Sequence, residues 1–272
     1  MQNKHNLKLL IALIAVMLAT QGCGVINSLR AKDSLDEGVR EFNKGRYEQA
    51  EEKFKHALEL NPEMINAQLF YARSLNARFE QSLTEPLGME TIKAYDNLIK
   101  LSGNDAEAKD RALAFKANVY DKLSNVSADK ADEYKNKHHE VLLERVNVPT
   151  SKPSAKADVY YTIGVDMWKT AYALGSPYVT KKQPIPPDVQ AKMKPNVDKA
   201  HEYLQKAISV DPNYANAYYY ETLAYREDMK LTTDAAKWKE YENKIKADLD
   251  TYKKIQDQQK TQATQTSGDA AK

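Results

Sequence analysis

Cysteine is nearly absent from this 272-residue chain, where Cys23 stands alone. One thiol excludes an intramolecular disulfide, a cysteine-based zinc site and a Cys-x-x-Cys redox pair. Glycine is scarce as well, at 9 residues, too few for phosphate-cradling loops or the many tight turns of a β fold, so helices are expected. Charge of one sign is missing: 40 Lys+Arg stand against 38 Asp+Glu. That balance excludes a nucleic-acid binder working by bulk charge. With 29% charged and 42% hydrophobic residues, the composition is that of a globular chain, long enough for one or two domains and a core without staples.

The amino terminus carries the longest apolar run. Lys4 and Lys8 precede Leu9 to Ala19, a stretch without charge that is too short to span a bilayer, which takes about 20 helical residues. A basic start followed by such a run reads as an export signal over residues 1–22. Gly22 directly before the lone Cys23 resembles the lipobox of bacterial lipoproteins, although Gln21 stands where that family usually has a small residue and Leu18 lies two residues further upstream than its usual leucine. The resemblance implies cleavage before Cys23, its lipidation and a short linker over 23–33. It also implies attachment to the outer membrane if the host is Gram-negative, since residue 24 is not Asp. Several acyl chains on one cysteine would hold the protein to a leaflet, where one would not. Loss of the signal removes two lysines and no acid, leaving 38 basic and 38 acidic residues. A neutral body has no long-range steering, so its contacts should be local and shape-driven.

From Ser34 to Tyr252 the chain is repetitive. The segment QAEEKFKHALELNPEMINA (49–67) recurs 150 residues later as KAHEYLQKAISVDPNYANA (199–217). The two share Ala50/Ala200, Glu52/Glu202, Ala57/Ala207, Pro62/Pro212, Asn66/Asn216 and Ala67/Ala217, and keep apolar type at Phe54/Leu204. Ala50, Phe54, Ala57 and Leu58 form a helical i, i+4, i+7, i+8 stripe whose small residues let a partner approach. Pro62 ends that helix, because it lacks an N–H and disfavours helical geometry at the residue before it. Gly38 leaves room where paired helices touch, and Gly45 can take the positive φ of the turn between them. This pattern resembles the tetratricopeptide repeat, a unit of about 34 residues folded as two antiparallel helices. The resemblance implies an all-α, right-handed α-solenoid of about five helix pairs spanning 34–252.

Two pairs are expected to carry long inter-helix insertions. One is TEPLG, from Thr84. The other is about 170–196, which holds Pro177, Pro184, Pro186, Pro187 and Pro195, half the chain's ten prolines, and so cannot be helix throughout. Residues 253–272, rich in Gln, Thr and Lys, offer nothing to bury and read as a disordered polar tail.

In solenoids of this family the first helix of each pair lines a concave groove. By that resemblance Leu35, Val39 and Phe42, then Tyr161, Val165 and Trp168, then Asn216, Tyr219, Leu223 and Arg226 are the groove candidates. The run Tyr218-Tyr219-Tyr220 points around the helix, so at least one ring must face outward. Seventeen tyrosines against 5 phenylalanines suit groove and rim better than a dry core.

Catalytic patterns are missing: there is no HExxH, GxSxG, GxxxxGK[ST] or GxGxxG. His138 and His139 are adjacent and should diverge by about 100° on a helix, too far to chelate together. His56 and His201, like Glu51-Glu52 and Asp132-Glu133, read as solvated helix faces. No metal, cofactor or nucleic acid is expected. The expected function is a non-catalytic, membrane-anchored envelope scaffold that binds a protein or peptide, possible roles including envelope complex assembly. Two other classes stay open: a solute-binding accessory of an uptake system, using Trp168 and the tyrosines, and an envelope enzyme with a site in the proline-rich insertion around Asp188.

Overall fold

A computed structural model describes residues 26–149 and 152–269, with side chains to residue 262. The expected signal, residues 1–22, and Cys23 lie outside the described residues. Among those described, ten α-helices and one 3-10 turn occur and no strand: α1 (26–43), α2 (Tyr47–Leu60), α3 (Ile65–Ser82), α4 (Glu85–Ser102), α5 (Ala106–Val126), the 3-10 turn Ala128–Lys130, α6 (Ala131–Val146), α7 (Pro153–Thr180), α8 (Pro187–Val210), α9 (Ala215–Lys230) and α10 (Ala235–Asp269). They form the five helix pairs read from the repeat, an all-α solenoid fold. None of the described helices is long and apolar enough to cross a membrane.

The chain divides into two compact units at Glu144–Arg145. In the first, α2 to α5 each pack against the helix that follows or precedes them. Ala50, Phe54 and Ala57 are fully buried, and Phe54 stacks on Phe70 of α3 at 5.5 Å between ring centroids. Burying one such phenylalanine contributes about 1.5–3 kcal/mol. Gly38 supplies the close approach: a Cβ placed there would lie 2.5 Å from the Phe54 ring. Gly45 turns the chain from α1 to α2 at φ +74, the left-handed region that side chains rarely adopt. In α6, His138 Nδ1 lies 2.8 Å from the Ala117 carbonyl oxygen of α5. The rings of His138 and His139 stand 5.5 Å apart and both are buried, closer than the divergence expected of helix neighbours.

In the second unit α7 packs on α8 and α9, α8 on α9, and α9 on α10. The 49–67 and 199–217 segments fold alike down to their ends. Asn61 and Asp211 leave the helix in extended geometry (φ −145 and −135), as the proline after each demands. Their side-chain oxygens accept the N–H of Glu63 and of Asn213, at 3.2 and 3.0 Å. Gly164 stands to Leu204 as Gly38 stands to Phe54: an added Cβ would come within 2.8 Å of Leu204 Cγ and 3.1 Å of its backbone nitrogen. Gly38 precedes Phe54 by 16 residues and Gly164 precedes Leu204 by 40, so the later pair carries 24 extra residues.

Those residues are the insertion expected over about 170–196, and most of it is helix. They lengthen α7 to 28 residues and α8 to 24, with only 181–186 left between them. Pro187 opens α8 at its first turn, where a missing N–H costs nothing, while Pro177 and Pro195 sit inside their helices and each forgo one hydrogen bond. By contrast, TEPLG is no insertion, since α4 begins at Glu85 with Pro86 in its first turn. The expected disordered tail is also corrected: α10 continues to Asp269. No proline interrupts it, and a helix nucleated by packing against α9 extends at little cost through Gln, Lys, Thr and Ala.

The repeat also carries a buried charge seam that changes sign. Glu51, only 5% exposed, pairs with Arg78 of α3 and, at 2.6 Å, with Lys55. The positions 150 residues later are His201 and Asp228. His201 Nε2 lies 2.8 Å from Asp228 Oδ2 and its Nδ1 2.8 Å from Glu221 Oε1. Neither Glu51 nor His201 is the solvated surface group expected from sequence, because each points across its pair toward an opposite charge. Both His201 nitrogens meet carboxylate oxygens, so only the doubly protonated ring can donate to both. Burial opposes the charge, but the hydrogen bonds to Asp228 and Glu221 outweigh it and lift the pKa from 6.5 to about 9.

Two measurements check this packing. Gly164→Ala should lower the stability of the second unit by about 1–3 kcal/mol in urea denaturation, since Leu204 must move with its backbone; a change within error would show that α7 and α8 need no such approach. For His201 the raised pKa places its stabilisation in full below pH 6.5 and removes it as pH climbs through 9, a loss of about 3 kcal/mol. His201→Gln should be less stable than the wild type at pH 6 and show no such slope, and equal slopes in both proteins would refute the clamp.

Candidate functional site

The second unit gathers seven of its aromatic residues into one belt. Trp168 of α7 stacks on Tyr172 one turn later at 5.4 Å and meets the edge of Tyr220 of α9 at 5.2 Å. Tyr220 continues to Tyr161 at 5.5 Å and to Tyr219 at 5.7 Å. Tyr161 leads to Tyr214 at 5.2 Å, and Tyr219 to Tyr252 of α10 at 5.6 Å. Edge-to-face and offset contacts of this kind suit the ring quadrupoles and add about 0.5–1.5 kcal/mol each beyond burial. The belt exists because α7 and α9, the first helices of successive pairs, pack against each other.

The belt is rich in donors and open at two points. Tyr172 and Tyr219 are 47% and 41% exposed. Between them the Trp168 indole Nε1–H is buried and makes no hydrogen bond. A buried N–H without a partner costs about 1–3 kcal/mol. Burial first, and then Tyr220, push the Tyr161 phenol up to about 12. Tyr214 is raised by burial and by donating to Asp158 Oδ1 at 2.8 Å. Both phenols therefore keep their protons near neutrality. Lys230 lies 5.3 Å above the Tyr172 ring and is held there by both oxygens of Glu227 at 2.6 Å. Beside the belt, a polar cleft of about 280 Å³ opens between α10 and the turn before α9, lined by Asp211, Asn213, Tyr214, Asn216, Gln256 and Gln259.

The residues singled out from the sequence fall in three places. Tyr161, Trp168 and Tyr219 belong to the belt, Asn216 lines the cleft, Leu223 is half-buried and Arg226 is exposed. Val165 is buried instead, in the core cluster with Leu204 and Ala224, because it lies one residue from Gly164 on the face turned to α8. In the first unit Leu35, Val39 and Phe42 are half-buried on α1, and the Arg73 guanidinium sits 5.0 Å above the Phe42 ring. Tyr172, Tyr214, Tyr220 and Tyr252 join the belt without being groove candidates from sequence. Tyr172, at i+4 from Trp168, carries a local signal, but only once α7 is known to run past residue 170. Asp188 is exposed in the first turn of α8, where a carboxylate is favoured by the helix dipole.

No curated protein matches the chain. Among solved structures it is similar to MamA, at 20% identity over 83% of this chain and 93% of that one, with a TM-score of 0.45. It is also similar to a thermophilic TPR protein of Thermus thermophilus, at 18% identity over 74% and 98% with a TM-score of 0.37. A third is YrrB, described as a TPR protein with an unusual peptide-binding site, at 15% identity over 82% and 84% with a TM-score of 0.34. Residues 41–64, which hold the end of α1, the Gly45 turn and all of α2, match the tetratricopeptide repeat family.

Proposed function

We propose that this protein is a non-catalytic interaction scaffold of the bacterial cell envelope, held to a membrane through lipidated Cys23, which binds a protein or peptide segment along its aromatic belt. The belt is the observation that carries the reading. A run of rings from Tyr172 to Tyr161, exposed at both Tyr172 and Tyr219, offers apolar area at low entropic cost. The repeat match at 41–64 supports the same reading, since such helix pairs stack into surfaces for partners. The neutral mature charge favours recognition by shape over steering.

Affinity capture from envelope extracts should retrieve one or a few proteins with the wild-type chain. Replacing Trp168 and Tyr219 together by Ala should weaken that capture about tenfold or more while the helical circular dichroism is retained. Capture that is indifferent to both changes would refute the belt, and a tryptophan fluorescence change with a small solute but no protein partner would favour the solute-binding reading. For the anchor, Cys23→Ser should move the protein from the membrane fraction to the soluble one, and undiminished retention would overturn lipidation as the tether.

A further inference from the structure

The stretch expected to be a linker, 23–33, is helix from residue 26 onward, where α1 starts. Ile26 lies three residues after Cys23, a reach of at most about 11 Å even in fully extended chain. Acyl chains on Cys23 would therefore bring the first turns of α1 to the headgroup layer of the leaflet that holds them. What those turns present decides what they meet there.

α1 turns Ala31, Ser34 and Gly38 into the fold, where Gly38 meets Phe54 of α2. At about 100° per residue, Ile26 and Leu29 stand about 140° and 160° from Ala31, on the face turned away. They are 51% and 61% exposed, and Leu29 is the most exposed large apolar side chain among the described residues. Asp33 and Asp36 continue the same face in water, and exposed Arg30 and Lys32 flank it on either side. Among the described residues neither Arg30 nor Lys32 enters an ion pair. An apolar side chain exposed singly needs no explanation. Two on one face, beside a tether and bordered by free cations, form a surface that lacks its partner.

The order of side chains along α1 follows a leaflet from its acyl boundary outward. Apolar Ile26 and Leu29 come first, basic Arg30 and Lys32 next, and acidic Asp33, Asp36 and Glu37 last. With a rise of about 1.5 Å per residue, Leu29 and Asp36 lie about 10 Å apart along the axis, comparable to the depth an interfacial helix enters. We infer that the first two turns of α1 are seated in the interface of a phospholipid leaflet with anionic headgroups, Ile26 and Leu29 reaching the acyl boundary and Arg30 and Lys32 the phosphates. The seat depends on the lipidated Cys23 proposed above. Long basic side chains suit that depth, because their stems lie along apolar groups while the charge stays at the phosphate. The acids mark where the seat ends, since an anionic surface repels them. A neutral body does not oppose this contact, because salt screens charges beyond about 10 Å and only the local cations count. The acyl chains supply the hold, and the seat removes the swivel that a bare tether leaves.

Spin labels on the full, lipidated chain in vesicles of phosphatidylethanolamine and phosphatidylglycerol test the seat. A nitroxide on Leu29→Cys should collide with oxygen dissolved in the bilayer, and about tenfold less often with an aqueous nickel chelate than a nitroxide on Asp36→Cys. Lipidated Cys23 offers no free thiol, and both labelled positions are exposed, so neither label disturbs the core. Arg30→Glu combined with Lys32→Glu should raise nickel access at position 29 at least about fivefold, as should vesicles of phosphatidylcholine alone. Equal nickel access at 29 and 36, on protein that stays with the vesicles, overturns the seat and leaves the anchor standing. Shielding of position 29 from nickel and oxygen alike also overturns it, since that marks a second copy or another protein on this face. Protein recovered off the vesicles fails the anchor itself, and the seat with it.

Discussion

Two helices lined with alanine bury that lining only if their backbones come close, and in the first and fourth pairs of this protein a glycine sets that closeness. Gly38 against Phe54 and Gly164 against Leu204 are the same contact made twice. Each glycine removes the atom that would otherwise hold the helices apart, and each large apolar partner fills the space released. The rest of the core depends on that distance. The alanines at 50, 57, 200 and 207 reach full burial, and the second helix presents its next face to the following pair. Gly164 lies four residues before Trp168, so the same stretch of α7 that fits against α8 holds the indole against Tyr220 of α9. The belt is thus an outcome of core packing as much as of surface composition.

The pairs, their order and the helix ends at Asn61 and Asp211 are legible in the sequence because they rest on local chemistry. Asn61-Pro62 and Asp211-Pro212 must leave the helix wherever they occur, and the spacing of Ala50, Phe54 and Ala57 has only one helical face to fill. The points where sequence misleads share a cause. Proline reads as a breaker over 170–196 and at Pro86, yet at a first turn it starts a helix, and inside a long packed helix its lost hydrogen bond is offset by burial on either side. Gly164 and Leu204 keep their contact across 24 additional residues because both helices grow outward together. Such paired growth leaves no local mark in the sequence.

The candidate site is legible in part for the same reason. The resemblance to the repeat family places Tyr161, Trp168 and Tyr219 among the candidates, but neither it nor helical phase can show that Val165, one residue from Gly164, faces α8. Nor does phase reveal that Tyr220 bridges α7 and α9, because that role depends on the distance between helices of different pairs. His201 and Glu51 read as surface groups because charged residues on a helix usually are. Their burial depends on partners 27 residues away, Asp228 and Arg78, and only alignment of both positions across the 150-residue offset exposes the correspondence.

That correspondence shows what a solenoid permits. Each pair meets only its neighbours, so a buried charge must be answered locally and by nothing farther off. Glu51 with Arg78 and His201 with Asp228 answer the same constraint with opposite signs, and either solution satisfies the seam. The two are not equivalent in chemistry. Arginine carries a charge that conditions in the cell do not remove, whereas histidine between two carboxylates holds its charge only while those carboxylates remain close. Placing the titratable version in the second unit makes the seam between α8 and α9 depend on the proton that His201 holds, while the seam of the first unit does not. Sign inversion within a repeat therefore lets one fold combine a permanent joint with an adjustable one, without altering the glycine contact on which both are built.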